Sequence, residues 1–370
     1  MAFRACCTGF LAVLWLCCSV HLVTSWHLKS DCPCSDASLC DSITAPPRKE
    51  IFAFSYEAIH WAKYDWSKIT TIAMIGEYLP DIMCQAHSVG ARAVVKGLSN
   101  AEDRTAWITQ QVARTHSLHL DGINFDIEYA LEEKDAHHLV ALVNETTTAF
   151  HKANPHWQVT FDTFPYPGCP AGRCYDYTSL ASSCDFIVLM EYNMGGLGPI
   201  AKSNDPMKMV KVAVESFIVD GIPPDKLVLA VPWYGYSWTC THILQDNICS
   251  VLNSDAADTN RQESTRKYGS VMTYLYFSQI TELLKNSTTG RLYNETFQSP
   301  FFNYKDEGTG QMRQVWYDDA FSLSVRYQYA KSQNLRGVGM WNADCLDYSG
   351  DAEGSRLAKE MWDAIDRFKA

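Results

Sequence analysis

The chain has 370 residues, 47% of them hydrophobic and 20% charged, with a formal net charge of -11. That composition suits a folded protein with a substantial core and excludes a disordered chain, a collagen-like repeat and a small disulfide knot. The acidic excess over 31 Lys and Arg residues, with no dense basic block, gives nucleic acid no electrostatic footprint.

The first predicted element is a leader. Arg4 precedes the apolar run ACCTGFLAVLWLCCSV, and Val23 and Ser25 are small enough for a signal-peptidase cut after Ser25. The run approaches the ~20 residues of a membrane anchor, but His21 interrupts it. A signal peptide over residues 1–25 is therefore expected, followed by a single domain over 26–370. No later segment is long and apolar enough to span a bilayer, so no stable membrane association is expected after leader removal.

Cys6, Cys7, Cys17 and Cys18 leave with the leader and ten cysteines remain. An even number in a secretory chain points to disulfides, and Cys169 with Cys174 and Cys240 with Cys249 could close short loops. The zinc alternative lacks paired C-x-x-C motifs and an H-E-x-x-H. Sequons at Asn144, Asn286 and Asn294 agree with passage through a glycosylating compartment.

Beyond Cys40, eight strand-like runs follow in order: IFAFSY from Ile51, ITTIAMI from Ile69, ARAVVKGL from Ala91, GINFDIEY from Gly122, WQVTFDTF from Trp157, DFIVLMEY from Asp185, KLVLAVPWYGY from Lys226 and GVGMWN from Gly337. Helical patterns lie between them. Leu139, Leu142, Val143, Thr146 and Phe150 fall on one helix face that ends before Pro155, and further helices are expected over Met207 to Val219 and Ala320 to Ser332. Strand and helix alternating at about the ~30 residues of a βαβ unit predict an α/β fold, a (β/α)8 TIM barrel. The long gap at about 237–314 predicts a small insertion on the barrel rim between strands seven and eight. The alternative, an open doubly wound sheet, lacks a G-x-G-x-x-G at a strand-to-helix turn.

The fourth run carries the chemistry. In DGINFDIEYA, Asn124, Asp126 and Glu128 share one face while Ile123, Phe125, Ile127 and Tyr129 share the other. With the apolar set packed under helices, the barrel interior receives an amide and two carboxylates. Burial of carboxyls is unfavourable unless they bond to each other or to a ligand, so a functional role is expected at the strand's C-terminal end. An exposed strand whose polar face meets water would show the same alternation, but both sequence neighbours are apolar.

These residues resemble glycoside hydrolase family 18: DGINFDIE is similar to its D-G-x-D-x-D-x-E signature, and MEYN (Met190 to Asn193) to its M-x-Y-D at strand six. GIPPDKLVLAVPWYGYSW (Gly221 to Trp238), VWYDD (Val315 to Asp319) and GVGMW (Gly337 to Trp341) resemble the family's segments around strands seven and eight. Within the family, CPCSDASLC and Asn124 look like a lysosomal branch rather than the digestive chitinases.

The resemblance implies a retaining, substrate-assisted glycosidase acting on β-1,4 bonds between N-acetylglucosamine units, in chitooligosaccharides and the chitobiose core of asparagine-linked glycans. Glu128 would be the acid, with a pKa raised by burial and by Asp126; Asp126 would orient the acetamido N–H; Tyr192 would donate to the acetamido carbonyl. Trp341 would form the floor under the sugar. Met190, Asn193, Trp233 and Tyr236 are further candidates for substrate contact.

Three departures from the family pattern stand out. Asn124 occupies a position that is usually Asp, which predicts that Asp126 cannot pass its proton inward to another carboxylate and that the pH profile depends on fewer coupled carboxyls. KGLSN does not reproduce the S-x-G-G of strand three, and Tyr236 stands where an Arg often follows Y-G. No cofactor and no metal are implied, a monomer is expected, and the lysosome is the implied destination. A chitinase-like lectin is the alternative class, and an endo-acting chitinase the alternative within the enzymes; Glu128 favours an enzyme, since such lectins typically lack the acid.

Overall fold

The computed structural model describes residues 32–46, 48–97, 103–196, 198–251 and 272–369. The predicted leader and the end of KGLSN lie outside the described residues.

Eight parallel strands close a barrel: β1 (Glu50–Ser55), β2 (Thr71–Met74), β3 (Arg92–Gly97), β4 (Gly122–Phe125), β5 (Gln158–Thr163), β6 (Phe186–Met190), β7 (Leu227–Pro232) and β8 (Gly337–Trp341). Each corresponds to one of the eight runs read from the sequence. The helices over Ala136–Ala153, Met207–Val219 and Ala320–Ser332 also match the expected patterns. The last of these starts where Asp319 caps it, accepting from the backbone N–H of Phe321 and Ser322.

Register decides what enters the barrel. Partners in a parallel ladder share a face, and Lys96 pairs with Asn124, which pairs with Thr160. Continuing by twos places Lys96, Asn124, Asp162, Met190 and Trp341 on the inward face. At the lower end the inward row is also polar: buried Glu50 accepts from the hydroxyls of Thr70 (2.6 Å) and Thr71 (3.2 Å). Aliphatic and aromatic side chains fill the layer between barrel and helices.

The insertion is a five-stranded antiparallel sheet in the order 272–276, 234–239, 312–316, 299–305, 292–294, with a helix over Phe277–Lys285. It begins at Tyr234, earlier than the expected position 237, because the chain leaves the barrel after Pro232. Trp233 bridges the corner by donating its backbone N–H to Trp341 O at 2.8 Å. Gly235 is required there, since a Cβ would lie 2.4 Å from Trp316 O. Trp238, Phe301 and Trp316 give this sheet a small core of its own.

Among the described residues four disulfides form, Cys32–Cys40, Cys34–Cys84, Cys169–Cys174 and Cys240–Cys249. The expectation from ten cysteines fails for the last two: Cys184 and Cys345 are free and buried, each packed into the main core as a small apolar group. The cysteine cluster most suited to a metal, Cys32 with Cys34 and Cys40, is consumed by disulfides. Cys34–Cys84 ties the segment before the barrel to the helix Pro80–Ser88, and buried Asp121 holds the same segment by accepting from Ile43 N–H at 2.8 Å. Among the described residues no helix is long and apolar enough to cross a membrane.

Candidate active site

At the C-terminal mouth of the barrel, β4 ends at Phe125, so Asp126 and Glu128 belong to the loop that follows it. Asn124, still in the strand, is fully buried and uses both ends of its amide. Its Nδ2 donates to Asp162 Oδ2 at 2.7 Å, and its Oδ1 accepts from Thr160 Oγ1 at 2.6 Å.

Asp162, on β5, brings a further buried carboxyl to this layer of the barrel. A buried carboxyl therefore lies beside Asn124, even though Asn124 itself stands at a position that is usually Asp. Burial pushes the Asp162 carboxyl well above the usual range, and the nearby Asp126 charge pushes it further, against the opposing Asn124 bond. Its signal was in the sequence: Gln158, Thr160 and Asp162 alternate with Val159 and Phe161, as Asn124 and Asp126 do with Ile123 and Phe125.

Asp126 is buried. One carboxylate oxygen, Oδ2, accepts from Lys96 Nζ at 2.6 Å, and the other, Oδ1, is buried with no hydrogen-bond partner. Tyr192, just past β6, is also buried with its hydroxyl unpartnered. Burial, and then the charges of Asp162, Asp126 and Glu128, hold that phenol well above its ordinary value, so it is a committed proton donor.

Glu128 departs from its expected environment. Its side chain is 50% exposed and its carboxylate pairs with Arg173 at 3.1 Å, where a buried acid was expected. The reason is local: inward and outward alternation lapses once the strand ends, and Glu128 leans over the mouth instead of into it. Arg173 is held over the Phe164 ring at 5.3 Å, in the loop closed by Cys169–Cys174. That loop grips the one carrying Glu128 through Leu131, whose N–H donates to Gly172 O and whose carbonyl accepts from Cys174 N–H. No sequence motif marked Arg173.

Trp341 is partly exposed, packed on Phe54 with ring centroids at 5.3 Å and on Tyr192 at 6.4 Å. It presents a partly exposed aromatic surface next to Tyr192 at the barrel mouth. Met190 is buried beneath the mouth. Asn193 takes a left-handed backbone (φ 57), and its side-chain oxygen accepts from both Tyr234 and Tyr236, at 2.8 and 2.6 Å. Tyr236 thus links the insertion to the site through Asn193. Trp233 does not reach the site: it is fully buried, donates to the Tyr327 hydroxyl at 3.1 Å and packs edge-on against Trp362. Its side chain points outward from the corner, toward the helices.

The sequons fall on Asn144 and Asn286, both exposed, and on partly buried Asn294.

A closed parallel barrel with carboxyls and an aromatic shelf at its C-terminal mouth is the architecture of a glycoside hydrolase, and comparison specifies which kind. Residues 88–345 match the model of Glycosyl hydrolases family 18, and the chain belongs to that family. It is 39% identical over 354 residues to the di-N-acetylchitobiase of Rattus norvegicus, covering 90% of this chain and 92% of that protein. To the di-N-acetylchitobiase of Homo sapiens it is 38% identical, covering 91% and 88%. Among solved structures it resembles a class V chitinase from Nicotiana tobaccum, with TM-score 0.66, 19% identity and coverage of 86% and 99%, a likeness of fold.

Proposed function

We propose that this protein is a retaining, substrate-assisted glycosidase that cleaves β-1,4 bonds between N-acetylglucosamine units in chitooligosaccharides and in the chitobiose core of asparagine-linked glycans. One observation carries the reading: at the barrel mouth, a buried donor (Tyr192 Oη) and a buried acceptor (Asp126 Oδ1) both lack partners. Buried polar atoms are rarely left so, and an acetamido group offers the complementary pair, a carbonyl oxygen and an N–H. The di-N-acetylchitobiase relatives point to the same substrate class.

In this mechanism the sugar lies on Trp341. Tyr192 donates to the acetamido oxygen and aims it at the anomeric carbon, while Asp126 accepts the acetamido N–H and stabilises the oxazolinium ion as it forms. Glu128 protonates the departing glycosidic oxygen, then takes a proton from the water that opens the oxazolinium. Two inversions at one carbon retain the β configuration. A bound sugar also covers Glu128, supplying the desolvation absent from the free site and weakening its pairing with Arg173.

The test is the anomer first released. Proton NMR during hydrolysis of a chitooligosaccharide should show β product before mutarotation, and a thiazoline analogue of the oxazolinium ion should inhibit. An α product refutes the mechanism, and binding without turnover leaves the lectin reading.

The proposed compartment is the lysosome, reached through the secretory pathway, and the buried carboxyls support an acidic one. Glu191 points outward from the end of β6, fully buried, with neither carboxylate oxygen partnered. Burial, aided by Asp205, pushes its carboxyl well above the usual range. The folded state therefore binds this proton more tightly than the unfolded chain. The stabilisation is complete below the unfolded pKa, ~4.3 for Glu, and is lost as pH rises through the folded value, at about 1.4 kcal/mol per unit. Asp162 acts in the same direction. Melting temperature should accordingly be higher at about pH 5 than at about pH 8, and Glu191→Gln should flatten the difference by stabilising the protein at the higher pH. Thermal scans across that range check it; a variant less stable than wild type at the higher pH contradicts the argument.

A further inference from the structure

Lysine is an unusual occupant of a barrel interior. On β3, alternation turns Arg92, Val94 and Lys96 inward, and Lys96 stands beside Asn124 in the register. Its side chain is 26% exposed, and its ammonium lies 2.6 Å from Asp126 Oδ2, whose own side chain is 7% exposed. The groups facing Asp126 are otherwise acidic or weakly acidic: Asp162 from β5, Tyr192 after β6, and Glu128 on its own loop, itself paired with Arg173. Asp126 and Asp162 are both buried at the mouth, and the charge of Asp126 opposes ionisation of Asp162.

The two oxygens of Asp126 have different surroundings. Oδ2 is taken by Lys96, while Oδ1 is buried and open. A carboxylate held at one oxygen by a cation presents the other in a fixed direction, with its charge maintained. Both properties matter to a group that must accept an acetamido N–H while positive charge grows on the neighbouring ring.

We infer that Lys96 is a positioning residue for the reaction: its ammonium clamps Asp126 Oδ2, keeps that carboxyl ionised against Asp162 and Glu128, and directs Oδ1 toward the acetamido N–H of the substrate. Lys96 touches no reacting atom. The carboxyl that burial drives toward its protonated form is Asp162, while Asp126 is the one paired with a cation. Burial, which raises the affinity of Asp162 for a proton, supports that division. The inference rests on the substrate-assisted reading above and adds to it a basic residue from a strand outside the signature motif.

The experiment measures kcat and KM for hydrolysis of di-N-acetylchitobiose from about pH 3 to 8, in wild type, Lys96→Met, Lys96→Gln and Lys96→Arg, with melting temperatures as folding controls. The acid limb of kcat reports ionisation of Asp126. Lys96→Met should move that limb upward by about one unit or more, costing about tenfold in kcat for each unit at pH values below the limb, with KM changed less. Lys96→Gln keeps a hydrogen-bond donor without the charge and should show the same upward shift; Lys96→Arg should restore the wild-type limb. An equal loss of kcat at every pH, with no movement of the limb in either the Met or the Gln variant, overturns the inference and leaves Lys96 structural. An inactive wild type overturns the hydrolase reading and this inference together, so the two failures are distinguishable.

Discussion

Glu128→Gln is expected to lower release of N-acetylglucosamine from chitooligosaccharides by about 10³-fold, through kcat, while leaving substrate binding and folding nearly intact. The amide keeps the shape of the side chain but cannot deliver a proton to the glycosidic oxygen, and a positioned general acid accounts for about 10²- to 10⁴-fold. Folding should tolerate the change because the side chain is half exposed and its pairing with Arg173 lies at the rim. Exposed ion pairs contribute about 0 to 1 kcal/mol. Steady-state kinetics together with a thermal melt decide it. A variant that keeps more than a tenth of wild-type kcat would place the acid elsewhere.

Arg326→Met should be the most damaging single change to stability away from the mouth. Arg326 is fully buried, and its Nε and Nη2 donate to the two carboxylate oxygens of Asp205. It also donates to Asp205 O at 2.8 Å, Ser299 Oγ at 2.8 Å and Gln298 O at 2.9 Å, and lies 3.2 Å from Asp318 Oδ1. One guanidinium therefore joins the helix Ala320–Ser332, the loop after β6 and the insertion sheet. Its removal strands two buried carboxyls, and breaking a buried pair by deleting one partner costs about 3 to 5 kcal/mol. In a domain of this size that corresponds to a fall in melting temperature on the order of 10 °C. Adding Asp205→Asn and Asp318→Asn to Arg326→Met should recover part of the loss, because no uncompensated charge then remains. A single variant within 2 °C of wild type, taken as roughly the shift for 1 kcal/mol, would show that water satisfies these carboxyls. Activity should fall with stability, since Asn204, beside Asp205, accepts from the Asn193 N–H at 2.6 Å and steadies the segment carrying Tyr192.

Much of the architecture was legible in the chain. Short apolar runs set between helical patterns marked all eight barrel strands, since each strand must be covered by a helix and each helix shows one apolar face. Asp126, Tyr192 and Trp341 could be named because they stand at strand ends in a recognisable pattern. Asp162 is equally legible by alternation, since Gln158, Thr160 and Asp162 share one face of β5, but it lies outside the signature motif. Trp233 is the opposite case: its place at a strand end predicts a sugar contact, yet the corner into the insertion turns it toward Tyr327 and Trp362.

By itself, the order of residues determined which segments are strands and helices, and which polar side chains face the barrel axis while a strand lasts. These follow from steric periodicities that operate over a few residues. Only the tertiary structure decided which charges meet: Lys96 with Asp126 across 30 positions, Asn124 with Asp162 across 38, and Arg326 with Asp205 across 121. It also decided that Glu128, beyond the end of β4, leans toward solvent and Arg173. Electrostatic pairing depends on strand register and on how loops close over the mouth, and both are set by packing between segments far apart in the chain.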